Sequence, residues 1–135
     1  MNKLSAFHFN NEELAVLYLN TEKVKEGVEC DVYSFPGDKS KDLAIVRVQA
    51  GFKTPLQKII DGKETLEGYI DGKGSLTVTT PNGEVQVHIF EPGSIAPPVE
   101  VHVGDTMQWK APSDSGLTCY EICTPPYENG RFENL

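Results

Sequence analysis

Apolar and polar residues alternate with a period of two along most of this chain, the spacing that puts successive side chains on opposite faces of extended strands. In "DLAIVRVQAG", Leu43, Ile45 and Arg47 share one face, Ala44, Val46 and Val48 share the other, and Gly51 ends the run. The clearest hairpin is "SLTVTTPNGEVQVHIF", two alternating runs around Pro81-Asn82-Gly83. "PVEVHVGDTMQWKA" supplies two more short strands bent at Gly104-Asp105, and "LTCYEIC" a last one before Pro125-Pro126. Only "NNEELAVLYLNTEKVKEG" leaves room for a helical turn, with Asn10 or Asn11 as its cap and Glu12 and Glu13 in its first turn. Its "LAVLYL" centre reads equally well as a strand. Many short strands separated by glycine and proline turns predict an all-β sandwich or barrel, with at most a short N-terminal helix.

A chain of 135 residues can build one core, burying roughly two-thirds of the surface its unfolded form exposes. No repeat, low-complexity tract or linker divides it. A single domain is expected over 1–135: an N-terminal extension to about residue 30, a barrel over about 31–124 and a tail over 125–135, anchored by Tyr127, Phe132 and Leu135. Twenty acidic against twelve basic side chains give a net charge of -8, which opposes binding to nucleic acid or an anionic membrane. No membrane-length apolar run occurs, and acids and asparagines interrupt the N-terminal stretch where a secretion signal would be unbroken. A soluble cytoplasmic protein is expected. Cys30, Cys119 and Cys123 are odd in number and form no CxxC pair, so a disulfide framework is not expected. Cys119 and Cys123 share strand parity, as two small buried hydrophobes would.

Two segments together resemble the cupin superfamily of double-stranded β-helix (jelly-roll) barrels. "AGFKTPLQKIIDGKETLEGYIDGKGSLTV" is similar to the family's first motif, with Gly51 matching its start and "YIDGKGSL" (Tyr69 to Leu76) its closing strand and turn. "VHVGDTMQWKAP" is similar to the "GDxxxxPxG" turn of the second. The resemblance runs from about Leu43 to Cys123 and implies the barrel, and a homodimer is expected, since cupins commonly pair through strand edges. It also implies a metal site built on three histidines and a glutamate, and there the chain departs from the pattern. Counted from Gly51, the paired histidine positions are Gln57 and Ile59; counted back from Gly72, they fall on Lys58 to Asp61. The glutamate position is Glu64 or Thr65, and the third histidine position, counted from Gly104, is Ser115. Glutamine, isoleucine and serine cannot replace the hydration shell of a transition metal, so neither a metal nor another cofactor is expected. "VHIFEPGSIAPPVE" exceeds the minimal spacer between the motifs and is expected to form an added hairpin or loop over one rim.

Gln57, Lys58, Glu64, Glu67 and Tyr69 cluster on the two strands that would line the cavity, with Ser115 at the second motif. Alternation sends inward either Gln57, Ile59 and Glu64, or Lys58, Thr65, Glu67 and Tyr69. A mixed set of amide, ammonium, carboxylate and phenol suits a polar ligand, sugar-like or a small carboxylic acid. His8 reads as surface. His88 shares a face with Gln86, opposite Val85 and Val87, and His102 shares one with Glu100; both are expected to point outward. Met107 and Trp109 are expected to pack, and Arg131 to be an exposed tail residue. The function expected is metal-free binding of a small polar metabolite in the barrel. The alternative is an enzyme: a metal-independent sugar isomerase or epimerase, the class of cupin that moves protons with a histidine and a tyrosine, or a metalloenzyme with non-standard ligands.

Overall fold

The computed structural model describes residues 3–128 and 130–135, and the described residues contain strands and turns but no helix. The strands are β1 (Ala6–Phe9), β2 (Glu12–Ala15), β3 (Leu17–Lys25), β4 (Val28–Ser34), β5 (Asp42–Val48), β6 (Gln57–Ile59), β7 (Glu64–Gly72), β8 (Gly74–Thr79), β9 (Val85–Phe90), β10 (Val99–Glu100), β11 (Thr106–Lys110), β12 (Leu117–Thr124) and β13 (Phe132–Asn134). A six-stranded sheet runs β10-β7-β12-β5-β4-β3 and a five-stranded sheet β13-β6-β11-β8-β9. All pairings are antiparallel.

The main core lies between the two sheets and includes Val28, Val48, Ile59, Leu76, Met107, Trp109, Leu117 and Cys119. A second core covers the outer face of the larger sheet, where Phe7, Val16, Tyr33, Leu43, Ile45, Tyr120 and Ile122 meet under the β1–β2 hairpin. The face assignment of "DLAIVRVQ" therefore holds: Leu43 and Ile45 face the hairpin, and Ala44 and Val46 face the cavity between the sheets. Asn10 and Asn11 do not cap a helix. Both take positive φ, 52° and 63°, the conformation of a two-residue hairpin turn in which asparagine is among the few tolerant residues. With β3 and β4 in the larger sheet, residues 17–34 belong to the barrel wall, and the added N-terminal piece is the hairpin alone.

Tyr120 joins the layers. Its ring meets Phe7 and Phe9 edge-on at 5.0 and 6.1 Å and lies across Gly68, its partner on β7. A Cβ at Gly68 would stand 2.0 Å from the ring. Gly68→Ala is therefore expected to cost about 1–3 kcal/mol by overpacking, read as a lower urea midpoint with unchanged m-value.

Three outer features differ from expectation. Residues 91–98 form no hairpin; they run irregularly to β10, and Ile95 is fully exposed. On β9 the alternation is inverted: Val85, Val87 and Ile89 face solvent, while His88 pairs with Leu76 and shares its inward row with Trp109. The Nε2 of His88 is buried without a partner. Arg131 is buried rather than exposed, its guanidinium donating to the carbonyls of Glu64, Thr124 and Pro125 and to Thr65 Oγ1.

Candidate functional site

The two sheets enclose a cavity of about 530 Å³, within the size range of small-molecule sites. The larger sheet sends in two cross-strand rows. Glu67, Glu121, Ala44, Val32 and Asn20 stand side by side across five strands, and the next row carries Tyr69, Cys119, Val46, Cys30 and Glu22. The smaller sheet contributes Gln57, Met107, Trp109, Phe132 and Asn134, with Thr54, Asp42 and Tyr127 at the margins. Gln57 Nε2 donates to Asn134 Oδ1 at 3.1 Å, tying β6 to β13. The backbone N–H of Tyr127 donates to Asp42 Oδ2 at 2.9 Å, and burial pushes the Asp42 carboxyl up.

Glu67 is the most deeply placed of the polar lining groups, 3% exposed. Trp109 Nε1 donates to its Oε1 at 2.7 Å. Its Oε2 meets no hydrogen-bond partner, and Glu121 stands directly opposite Glu67 on β12. Burial above all, and then the Glu121 charge, holds the Glu67 carboxyl well above the usual carboxylate range. The raised carboxyl favours a proton on Glu67 beside the Glu121 carboxylate, the arrangement in which two neighbouring acids titrate as a pair. Cys123 Sγ donates to the other side of the pair, 3.3 Å from Glu121 Oε1.

Of the six residues singled out in the sequence, Gln57 and Glu67 line the cavity. Tyr69 points inward but is spent on packing, its ring stacked on Phe90 at 5.1 Å and its hydroxyl donating to Gly72 O at 2.7 Å. Lys58 is exposed on the opposite face of β6, and Glu64 is exposed at the start of β7. Ser115 lies in the β11–β12 turn, in a separate depression with Gly27, Gln49 and Gly72. The strand beside β6 is β11, and what it turns inward is Met107 and Trp109. Neither of the two parities read from the sequence is observed whole: Gln57 and Ile59 face in from β6, and Thr65, Glu67 and Tyr69 from β7. The strands belong to different sheets, and the turn through Gly62, with φ of 119°, resets the alternation. Glu121, Asp42, Glu22 and Cys30 were not singled out. The signal for Glu121 was present, since it shares parity with Cys119 and Cys123 in an otherwise apolar strand.

His102 points outward, 3.5 Å from Glu100 and 3.7 Å from Asp105. No histidine lines the cavity. Among the described residues no three His, Cys, Asp or Glu side chains converge as a metal site would require. The donors present are carboxylates, two of them opposite each other on β7 and β12, and thiols whose protons are held tightly. Burial raises all three thiols: Cys119 and Cys123 well above their ordinary value and Cys30 to about 12. The lining thus offers neither the imidazoles nor the thiolates that the usual histidine- or cysteine-based transition-metal sites employ. Since the thiolate is the reactive form, none of the three cysteines is expected to react with an aromatic disulfide reagent in the folded protein near pH 8, and all three should react after unfolding.

The architecture is that of a double-stranded β-helix barrel with a ligand-sized cavity between its sheets. Solved structures place it: the chain has the cupin fold. It superposes on oxalate decarboxylase from Bacillus subtilis with a TM-score of 0.68 at 21% identity, over 84% of this chain and 29% of that one. For oxalate decarboxylase from Lactobacillus farciminis in its formate complex the values are 0.69, 16%, 87% and 33%. For CapF bound to the inhibitor 3-isopropenyl-tropolone they are 0.67, 12%, 89% and 34%. The chain thus spans about a third of the length of these proteins, and at such identities the likeness establishes the fold. No protein-family model and no curated protein sequence matches the chain. Manganese(II) centres are described for the Bacillus subtilis enzyme. No helix among the described residues is long and apolar enough to cross a membrane.

Proposed function

We propose that this chain is a cupin-type binding protein whose barrel takes a small, hydroxyl-rich, sugar-like ligand without a metal ion. The chemistry of the cavity lining carries this reading. It presents amide, hydroxyl and carboxyl groups from Asn20, Thr54, Gln57, Asn134, Glu22 and Glu121 around the aromatic wall of Trp109 and Phe132. Such a surface offers many acceptors and a flat apolar face, which suits a polyhydroxylated ring. A carboxylic acid, the other ligand class the sequence suggested, is disfavoured. At an effective dielectric of 20, a like charge 4 Å away costs about 4 kcal/mol, and the lining contains no Lys, Arg or His to offset it.

The test is a panel of neutral sugars, polyols and dicarboxylates, followed by the Trp109 indole resonance. Metal content is measured in parallel by plasma mass spectrometry on protein purified without chelators. Selective shifts with neutral hydroxylated ligands on metal-free protein support the reading. Near-stoichiometric iron, manganese, nickel or zinc, or selective dicarboxylate binding, overturns it.

The same proposal takes the protein to be a cytoplasmic homodimer. Three free cysteines suit a reducing compartment. Strand β9 is an unpaired edge carrying Val85, Val87 and Ile89 on its exposed face, the kind of edge that proteins usually cover. Val87→Asp combined with Ile89→Asp is expected to convert a dimer to a monomer in sedimentation velocity, with the β fold retained by circular dichroism since neither side chain is buried within the chain.

A second reading, a metal-independent sugar isomerase or epimerase, is favoured by one observation. A carboxyl that keeps its proton beside a carboxylate inside the cavity is a donor and acceptor in one place. Deuterium uptake from heavy water into an aldose or ketose would support it, and abolition by Glu67→Gln would assign it to the pair.

A further inference from the structure

We propose that the ligand of this cavity carries a protonated amine, seated between Glu67 and Glu121 with the rest of the molecule against Trp109. The proposal deepens the sugar-like reading and rests on it, turning the ligand class toward amino sugars and amino alcohols.

Glu67 is more than nine-tenths buried and lines the cavity, yet only one of its oxygens has a donor: Oε1 holds the Trp109 indole N–H, and Oε2 meets none. A buried acceptor left without a donor costs about 1–3 kcal/mol, and more if it is charged. The groups around it aggravate the deficit. Glu121 stands opposite it on β12 with Cys119 beside it, and Asp42, Cys30 and Glu22 line the same cavity from β5, β4 and β3. From β6 and β11 come Gln57, Met107 and Trp109, and from the segment after β12 comes Tyr127. Every ionisable group in this list is an acid, so the cavity has a negative field and an unmet demand for N–H donors.

A proton on Glu67, shared with Glu121, meets that demand in part. An ammonium group meets it fully. It brings three N–H donors and a positive charge, and the aromatic faces of Trp109 and Phe132 attract a desolvated cation further. A neutral hydroxyl offers one donor and no charge. Seating the ammonium makes the shared proton redundant: the Glu67 carboxyl loses H⁺ to the solvent, the two carboxylates flank R–NH₃⁺, and no other bond changes. Binding at a pH where Glu67 keeps its proton therefore releases protons, up to one per site.

The experiment uses matched probes that exchange an amine for a hydroxyl: D-glucosamine with D-glucose, and ethanolamine with ethylene glycol. Each is titrated into the full chain at neutral pH by calorimetry in phosphate and in HEPES, whose ionisation enthalpies differ, with the Trp109 indole resonance followed in parallel. The amine of each pair is expected to bind roughly tenfold or more tightly than its twin, equivalent to about 1.4 kcal/mol. Its apparent enthalpy should differ between the buffers as proton release requires. Glu67→Gln should remove both the buffer dependence and the amine preference, and its folding is checked by the dispersion of the remaining amide resonances. Equal binding of amine and hydroxyl twins, without buffer dependence, overturns the amine inference and leaves the sugar-like reading standing. So does silence from both pairs when neutral disaccharides shift Trp109. Silence from the twins and from every neutral sugar overturns both.

Discussion

Arg131→Met should destabilise the protein by roughly 3 kcal/mol or more, a larger effect than most substitutions near the end of a chain produce. Arg131 is 4% exposed and ties the segment before β13 to the ends of the paired strands β7 and β12, where Thr124 stands opposite Glu64. Its Nη1 donates to Pro125 O at 2.9 Å, and its Nη2 to Glu64 O at 2.6 Å, Thr65 Oγ1 at 3.1 Å and Thr124 O at 3.2 Å. It rests over Gly62, where a Cβ would come within 2.5 Å of Cζ. Methionine preserves much of the stem's volume but leaves those acceptors without donors, each costing about 1–3 kcal/mol. Relief from burying a guanidinium with no carboxylate bonded to it offsets part of the loss. Lysine should rescue little, because a point charge cannot span acceptors arranged for a planar fork. The check is urea unfolding of both variants. A loss below about 1 kcal/mol would mean that water replaces the guanidinium.

The second large effect depends on pH. The folded-state pKa of Glu67 is raised by burial and by Glu121, against an ordinary value of 4.5. Between those two values the folded chain keeps a proton that the unfolded chain has lost. Stability therefore falls as pH rises across the window, since unfolding then involves fewer bound protons in the product than in the reactant. The protonated carboxyl's contribution is full below about pH 4.5 and is lost as the pH climbs through the folded-state value. The slope cannot exceed about 1.4 kcal/mol per pH unit for one proton. Glu67→Gln removes this dependence. Its carbonyl still accepts from Trp109 and its amide can donate to Glu121, so the variant should match the wild type in mild acid and surpass it increasingly toward pH 8 and above. Urea midpoints measured from mild acid to mild base test the sign. A variant less stable at every pH would mean that the carboxyl makes an interaction the amide cannot copy.

These two residues also show where the sequence was readable. Alternation gave the β5 faces and the place of the β8–β9 hairpin, because β5 and β8 each lie between two partner strands. It misled at β9, where the apolar residues of an edge strand face outward, and it broke between β6 and β7, where Gly62 separates strands of different sheets. The cupin motifs located the barrel but not the arrangement inside it. Ser115 was counted from a turn that leads into β11, so the inward positions fell on Met107 and Trp109 instead. Arg131 resembled any polar tail arginine, because its role depends in part on Glu64 O and Thr65 Oγ1, 67 and 66 positions away. The pairing of Glu67 with Glu121 depends on a register set by a bulge between Thr118 and Cys119, which no local pattern announces.

The bond between Gln57 and Asn134 joins residues 77 apart in sequence, and the cavity wall draws on positions from Asn20 to Asn134. Contacts of such long sequence separation close late and slowly, since chain entropy must be spent before they form. The compartment that would hold a ligand thus comes into being only as folding finishes. A ligand that recognises it can act on the last step alone, slowing unfolding while leaving the early rate of collapse untouched.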